Sequence, residues 1–321
     1  MTSFEPFAFL PGGHLQTIGG LFLRSFLRWR VPAEDVVVEG NDGVRLLLRA
    51  SWQESPERPA LLLVHGLEGC DRSSYMISTG ELAFSAGWHV IRMNMRGCGD
   101  GLELCPRLYN AGLSSDLLAV TRWLASRARP IVVCGFSLGG NLTLLTAARE
   151  RSSLPDEVRG AVAVSPPLDM SECADALERP SNTVYQYRFL RSLVGSYRRR
   201  QRLAPELYRS ERSRGLRTLR DFDDAVTAFY GGYADAEDYY RSVSAGPRMT
   251  KIDRPALVLA SDNDPFIPRA SVTKWAHSDA VTIELTRSGG HVGFAGPARG
   301  PGFFWAAERI LAFASSVAAE S

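Results

Sequence analysis

Six short, apolar and β-rich runs recur along the chain: "ALLLVHG" (60–66), "WHVIRMNM" (88–95), "PIVVCGF" (130–136), "GAVAVSP" (160–166), "ALVLAS" (256–261) and "VTIELT" (281–286), most of them near-continuously apolar. A strand that is apolar at successive residues has both faces to cover, which a parallel sheet with helical crossovers does and a one-sided sheet does not. Stretches at helical spacing lie between or after the runs, at 73–87, 114–128, 139–152, 271–278 and 303–319. Ahead of the first run, "EDVVVEG" and "VRLLLRASW" read as an antiparallel hairpin through "NDG", in which Gly43 supplies positive φ. The expected fold class is α/β, with a mostly parallel central sheet, helices on both faces and an antiparallel edge.

The rhythm breaks once. Residues 171–254 hold no convincing buried strand and are rich in Arg, Tyr and helix formers, which predicts a helical lid inserted within a single domain spanning 1–321. From Arg188 to Arg220 the insertion is dense in arginine, opposed only by Glu206 and Glu211; internal pairing and solvated faces are the expectation, with a basic patch for anionic head groups as the alternative. Of the lid aromatics, Tyr185, Tyr187, Phe189, Tyr230 and Tyr233 are expected to form its own core rather than line a pocket.

A formal charge of +2 argues against a nucleic-acid partner. Five scattered cysteines without metal spacing predict a reducing, cytoplasmic setting and no metal. The first thirty residues lack the pattern of a signal peptide, and Arg24 and Arg28 interrupt their apolar stretch, so no membrane span is expected. Leu15, Ile18, Phe22, Phe26 and Trp29 do recur at helical spacing; this stripe is expected to pack on the domain body, with lipid contact as the alternative.

The stretch "GFSLGG" (135–140) fits G-x-S-x-G between a strand and a helix, the context of a nucleophile elbow. Small residues at 135 and 139 let strand and helix approach, and Ser137 is lifted to the carboxyl edge of the sheet. Serine needs a base. His291 in "RSGGHVGF" follows the last strand at that same edge, whereas His89 opens a strand and His277 falls in an expected helix. His65 is expected to organise its loop through backbone bonds. A carboxylate must orient the imidazole, and "SDNDPFIP" offers Asp262 and Asp264, with Pro265 stiffening the turn after the second. Oxyanion donors are expected from the backbone N–H of Leu138, after the nucleophile, and of Leu67 in "HGLEG".

Together "GHLQTI" (13–18), "HGLEG" (65–69), "NMRGCG" (94–99), "GFSLGGN" (135–141) and "DPF" (264–266) resemble the YheT-like and EMB8-like α/β-hydrolases, whose animal relatives are the ABHD hydrolases. The resemblance runs nearly end to end. It implies a triad of Ser137, Asp264 and His291, favouring Asp264 over Asp262, and hydrolysis of carboxylic esters, acylglycerols or other lipids among them, without a cofactor. Asn110 departs from the family, which often has histidine there. The expected function is therefore a serine carboxylesterase acting on a small ester; an acyltransferase on the same triad and a non-catalytic ligand-binding protein are the alternatives. Peripheral membrane contact and oligomeric state stay open.

Overall fold

The computed structural model describes residues 4–319; residues 1–3 and 320–321 of the expected domain lie outside it. Eight strands form one sheet: β1 (Glu34–Glu39), β2 (Arg45–Ser51), β3 (Ala60–Val64), β4 (His89–Met93), β5 (Ile131–Phe136), β6 (Val158–Val164), β7 (Ala256–Ser261) and β8 (Val281–Thr286). Their order is β1-β2-β4-β3-β5-β6-β7-β8, antiparallel where β2 pairs with β1 and β4 and parallel elsewhere. All six apolar runs contribute a parallel strand, and the hairpin is the antiparallel edge.

The two faces divide by the period of two that a strand imposes. Leu62, Val64, Ile91 and Val133 point into one core; Leu61, Leu63, Val90 and Val132 point into the other, and all eight are buried. The principal helices are α1 (Gly12–Arg24), α2 (Ser74–Ser85), α3 (Ser114–Ala125), α4 (Leu138–Arg149), α5 (Met170–Glu178), α6 (Thr183–Leu203), α7 (Leu219–Phe222), α8 (Phe229–Gly231), α9 (Ala236–Val243), α10 (Arg269–Thr273) and α11 (Trp305–Ala319). A π-helical stretch, Asp223–Ala228, joins α7 to α8. Helices α3 and α4 cover the first core with Leu117, Leu124, Leu142 and Leu145; α2 and α11 cover the second with Met76, Ala83, Ile310 and Ala314. Strand β3 is flanked by β4 on one side and β5 on the other, so the chain order reverses there, and the crevice at the carboxyl ends of β3 and β5 is where such sheets hold ligands.

Between β6 and β7 the chain is helical, from α5 through α9, with no strand among these described residues. Its arginines divide. Arg220 pairs with Asp175 at 2.5 Å and Glu237 at 3.2 Å, and buried Arg200 donates to the Gly97 carbonyl at 2.6 Å. Arg188, Arg191, Arg198 and Arg202 are exposed and have no acidic partner among the described residues.

Three local expectations are corrected. Helix α10 ends at Thr273, so His277 lies in a loop, its Nδ1 3.1 Å from the Ser278 carbonyl oxygen; five residues cannot carry the helix to it. The lid aromatics split: Tyr197, Tyr208 and Tyr230 cluster in the lid's core, Tyr187 is exposed, and Tyr185 and Phe189 line a cavity instead. The largest correction is α1. Its buried face consists of Gln16, Gly20 and Arg24, while Leu15, Ile18 and Phe22 face outward and Phe26, in the turn after the helix, is exposed too; of the expected stripe only Trp29 packs, beneath the Arg92 guanidinium at 3.9 Å. The inner surface that α1 meets is backbone, which demands hydrogen-bonding side chains rather than apolar ones.

Candidate active site

Strand β5 ends at Phe136 and α4 begins at Leu138, leaving Ser137 alone to turn the chain, at φ 52° and ψ −119°. A residue with a β-carbon is strained there and is held only where its surroundings over-determine it. The Ser137 N–H donates to the Val164 carbonyl at 2.8 Å and its own carbonyl accepts from the Asn141 N–H at 3.1 Å. The flanking glycines are steric necessities: a β-carbon at Gly135 would overlap the Gly139 carbonyl, and one at Gly139 would overlap the carbonyls of Val64 and His65.

His291 lies in the loop after β8. Its Nε2 is 2.9 Å from Ser137 Oγ, and its Nδ1 is 2.9 Å from Asp264 Oδ2. An ionised carboxylate only accepts, so Nδ1 carries the proton and Nε2 is left facing the serine hydroxyl. Asp264 is fixed in turn: its Oδ1 accepts from the N–H groups of Phe266 and Ile267, both at 3.0 Å, and its side chain is shut from solvent. Asp262 instead meets Arg269 at 2.9 Å, outside this chain of bonds. The Phe266 ring packs against the imidazole at 4.0 Å between centroids.

His65 takes no part in that chain. Fully buried, its Nδ1 lies 2.8 Å from the Gly66 carbonyl oxygen, and its Nε2 accepts from the Met95 N–H at 3.1 Å. Burial outweighs the Gly66 bond and the nearby charges of Asp71 and Glu68 and pulls its pKa down to about 4, so the ring is neutral and joins two loops as expected. In the "HGLEG" loop Tyr75 Oη accepts from the Gly66 N–H at 2.9 Å and Tyr109 Oη from the Glu68 N–H at 2.8 Å. Between them the Leu67 N–H has no acceptor among the described residues, nor has that of Leu138 at the first position of α4. Both residues border Ser137, in a small apolar cavity of ≈ 60 Å³ that runs on to Met170, Cys173 and Tyr240. A second cavity of ≈ 200 Å³ reaches Ser137 and His291 from the outside, between α1 and α6, past Ile18, Leu21, Tyr185 and Phe189.

Sequence reasoning missed what the motifs around the site hold together. In "GHLQTI", Thr17 Oγ1 accepts from the His291 N–H at 2.8 Å, and Gln16 donates to the carbonyls of Leu10 and Ala295 and accepts from the Ala295 N–H; beyond the motif, at the end of α1, Arg24 donates to the carbonyls of Val292 and Gly293 at 2.7 and 2.8 Å. The inner face of α1 thus grips the histidine loop at His291 and along the four residues after it. Glu68 ties the loop below α6 to that helix, accepting from Ser192 at 2.8 Å and Ser196 at 2.6 Å. Asn110 accepts from the Gly112 N–H and takes no part in the serine, histidine and aspartate chain. For Thr17, Gln16 and Glu68 the quoted motifs were the only signal, since the partners that matter to the site lie more than a hundred residues away.

The general family described as "alpha/beta hydrolase fold" matches residues 59–295. YheT of Escherichia coli, which carries the provisional name of an esterase, is 33% identical over 292 residues, covering 88% of this chain and 84% of that protein. The chain belongs to the α/β-hydrolase family, in its YheT-like branch. A second relative, the mouse phospholipase ABHD3, is 27% identical over 86% of this chain and 70% of that protein. The solved Pyrococcus furiosus esterase Pf2001 superposes with a TM-score of 0.60 over 90% of this chain and 96% of that one, at 15% identity, a likeness of fold. Among the described residues of this α/β-hydrolase no helix is long and apolar enough to cross a membrane.

Proposed function

We propose that this α/β-hydrolase is a serine carboxylesterase working through an acyl-enzyme. The observation that carries this reading is the unbroken chain from Ser137 Oγ through His291 to Asp264, at 2.9 Å in both steps, with the serine on a strained turn. His291 Nε2 takes the hydroxyl proton as Ser137 Oγ bonds to the ester carbonyl carbon; Asp264 stabilises the imidazolium that results. The carbonyl oxygen, now carrying the charge, is held by the N–H groups of Leu67 and Leu138, which need no reorganisation because nothing among the described residues occupies them. Collapse breaks the ester C–O bond, and the proton on Nε2 passes to the leaving alcohol. Water, deprotonated by the same nitrogen, then attacks the acyl carbon, and the acid leaves with Ser137 restored.

Two apolar cavities meeting at Ser137 suit an ester with an apolar group on each side of its carbonyl. The esterase and phospholipase names of the relatives agree with that substrate class. The test is hydrolysis of p-nitrophenyl esters from acetate to palmitate by the wild type and by Ser137→Ala, with covalent labelling by a fluorophosphonate. Expected are labelling of the wild type alone and a loss of turnover of about 10³-fold or more in the variant. Equal turnover by the two clean preparations would falsify the reading.

A further inference from the structure

Helix α1 wears its amphipathic pattern inside out. Gln16 and Arg24, both buried, hold it to the body by hydrogen bonds to backbone, so its orientation is not free to reverse. Its outer face is left apolar: Ile18 is 53% and Phe22 63% exposed, and Phe26, in the turn just after the helix and 73% exposed, meets the Phe22 ring edge to face at 5.7 Å. Going round the helix at 100° per residue, Thr17 and Leu21 come between the inner and outer faces, and these two line the larger cavity together with Ile18 of the outer face. The outer face therefore runs without a break into the passage to Ser137. Across the mouth stands α6, joined to α1 by the stacking of Tyr185 on His14, and it presents exposed Val184 and Tyr187 beside Arg188 and Arg191. Arg28 and Arg30 follow α1. None of the four arginine side chains has an acidic partner among the described residues.

We propose that the outer faces of α1 and α6 form a docking surface for a lipid bilayer bearing anionic head groups, which presents ester substrate directly to the cavity. The continuity of the face with the mouth selects this occupant. A protein partner or a second copy seated there would close the passage that substrate must use, whereas a lipid surface covers the same apolar side chains and delivers substrate through it. An apolar helix face flanked by arginines is also the pattern that lies in the interface plane, with its charges at head-group level. The delivery of substrate rests on the carboxylesterase reading; the docking does not.

The test is flotation of the purified protein with vesicles of phosphatidylcholine alone and of phosphatidylcholine mixed with phosphatidylglycerol, in the Ser137→Ala background so that no hydrolysis intervenes. Expected is strong binding to the mixed vesicles, weaker binding to the neutral ones, and a loss of roughly a hundredfold in Phe22→Asp/Phe26→Asp, since two exposed phenyl rings no longer leave water. With Ser137 in place, that double variant should hydrolyse soluble p-nitrophenyl acetate as the wild type does, because neither ring lines either of the two cavities at Ser137. Equal binding of wild type and double variant overturns the proposal. So does a protein that ignores both vesicles but dimerises through this face, the double variant being monomeric. Retained flotation with no turnover of any ester would sink the esterase reading and leave the docking surface standing.

Discussion

Thr17 touches the reacting groups only through backbone, yet its hydroxyl is the acceptor that fixes the N–H of His291. Replacing it by valine keeps the shape and removes the acceptor, leaving the histidine loop one bond short beside a 2.9 Å contact on which proton transfer depends. Thr17→Val is expected to lower kcat by about 10- to 100-fold, while Thr17→Ser, which retains the hydroxyl, recovers most of it. Steady-state kinetics on one soluble ester, with thermal melts to show both variants folded, decide the matter; equal kcat in the two variants would mean that the bond is incidental. At this scale Ser137 was legible because a G-x-S-x-G between strand and helix has few other uses. The choice of Asp264 over Asp262 was not legible from spacing, because both acids stand in one turn; only the partners, His291 for one and Arg269 for the other, separate them.

The element whose role changed most between sequence and structure is α1. Hydrophobic periodicity locates an apolar stripe but carries no sign that says which way it faces. Here the inner surface is the backbone of the histidine loop, so burial goes to Gln16 and Arg24. Arg24 is the extreme case: burial lowers its guanidinium pKa to about 9, and the two carbonyls it serves are what it receives in exchange. Arg24→Met removes the buried charge and strands both carbonyls, each a cost of about 1–3 kcal/mol, offset in part by the desolvation relieved. Urea denaturation should show a net loss of about 1–3 kcal/mol; a variant as stable as the wild type would show that the loop holds itself without α1.

For the whole molecule, two buried ionisable groups on different elements set opposing responses to acid. His65 titrates at about 4 when folded and 6.5 when free, so between those values the unfolded chain binds a proton that the folded one refuses, and stability falls as pH falls. Asp223, buried in the π-helical stretch against Tyr240 and Thr227, has its carboxyl pushed up to about 6 by burial; between about 6 and 3.8 the folded chain binds the extra proton, and stability rises as pH falls. Asp223→Asn removes the second response alone. Relative to the wild type, the variant is expected to gain melting temperature at pH 7.5, where it no longer buries a charge, and to lose that advantage between pH 6 and 4.5. Parallel melting curves across this range would count against a perturbed carboxyl at 223.

The sequence by itself determined which runs form strands and whether they pair parallel or antiparallel, the two-faced core, and Ser137 and His291 as the proposed nucleophile and base. These depend on local propensity, on a period of two, and on a turn chemistry that few residue patterns satisfy. Only the tertiary structure decided which aspartate meets the imidazole, which lid aromatics border a cavity, and which side of α1 meets water. Each of those turns on a partner brought from far along the chain: Thr17 and His291 stand 274 residues apart. Side-chain hydrogen bonding to distant backbone leaves no periodic trace in a sequence, because the acceptor belongs to every residue type alike.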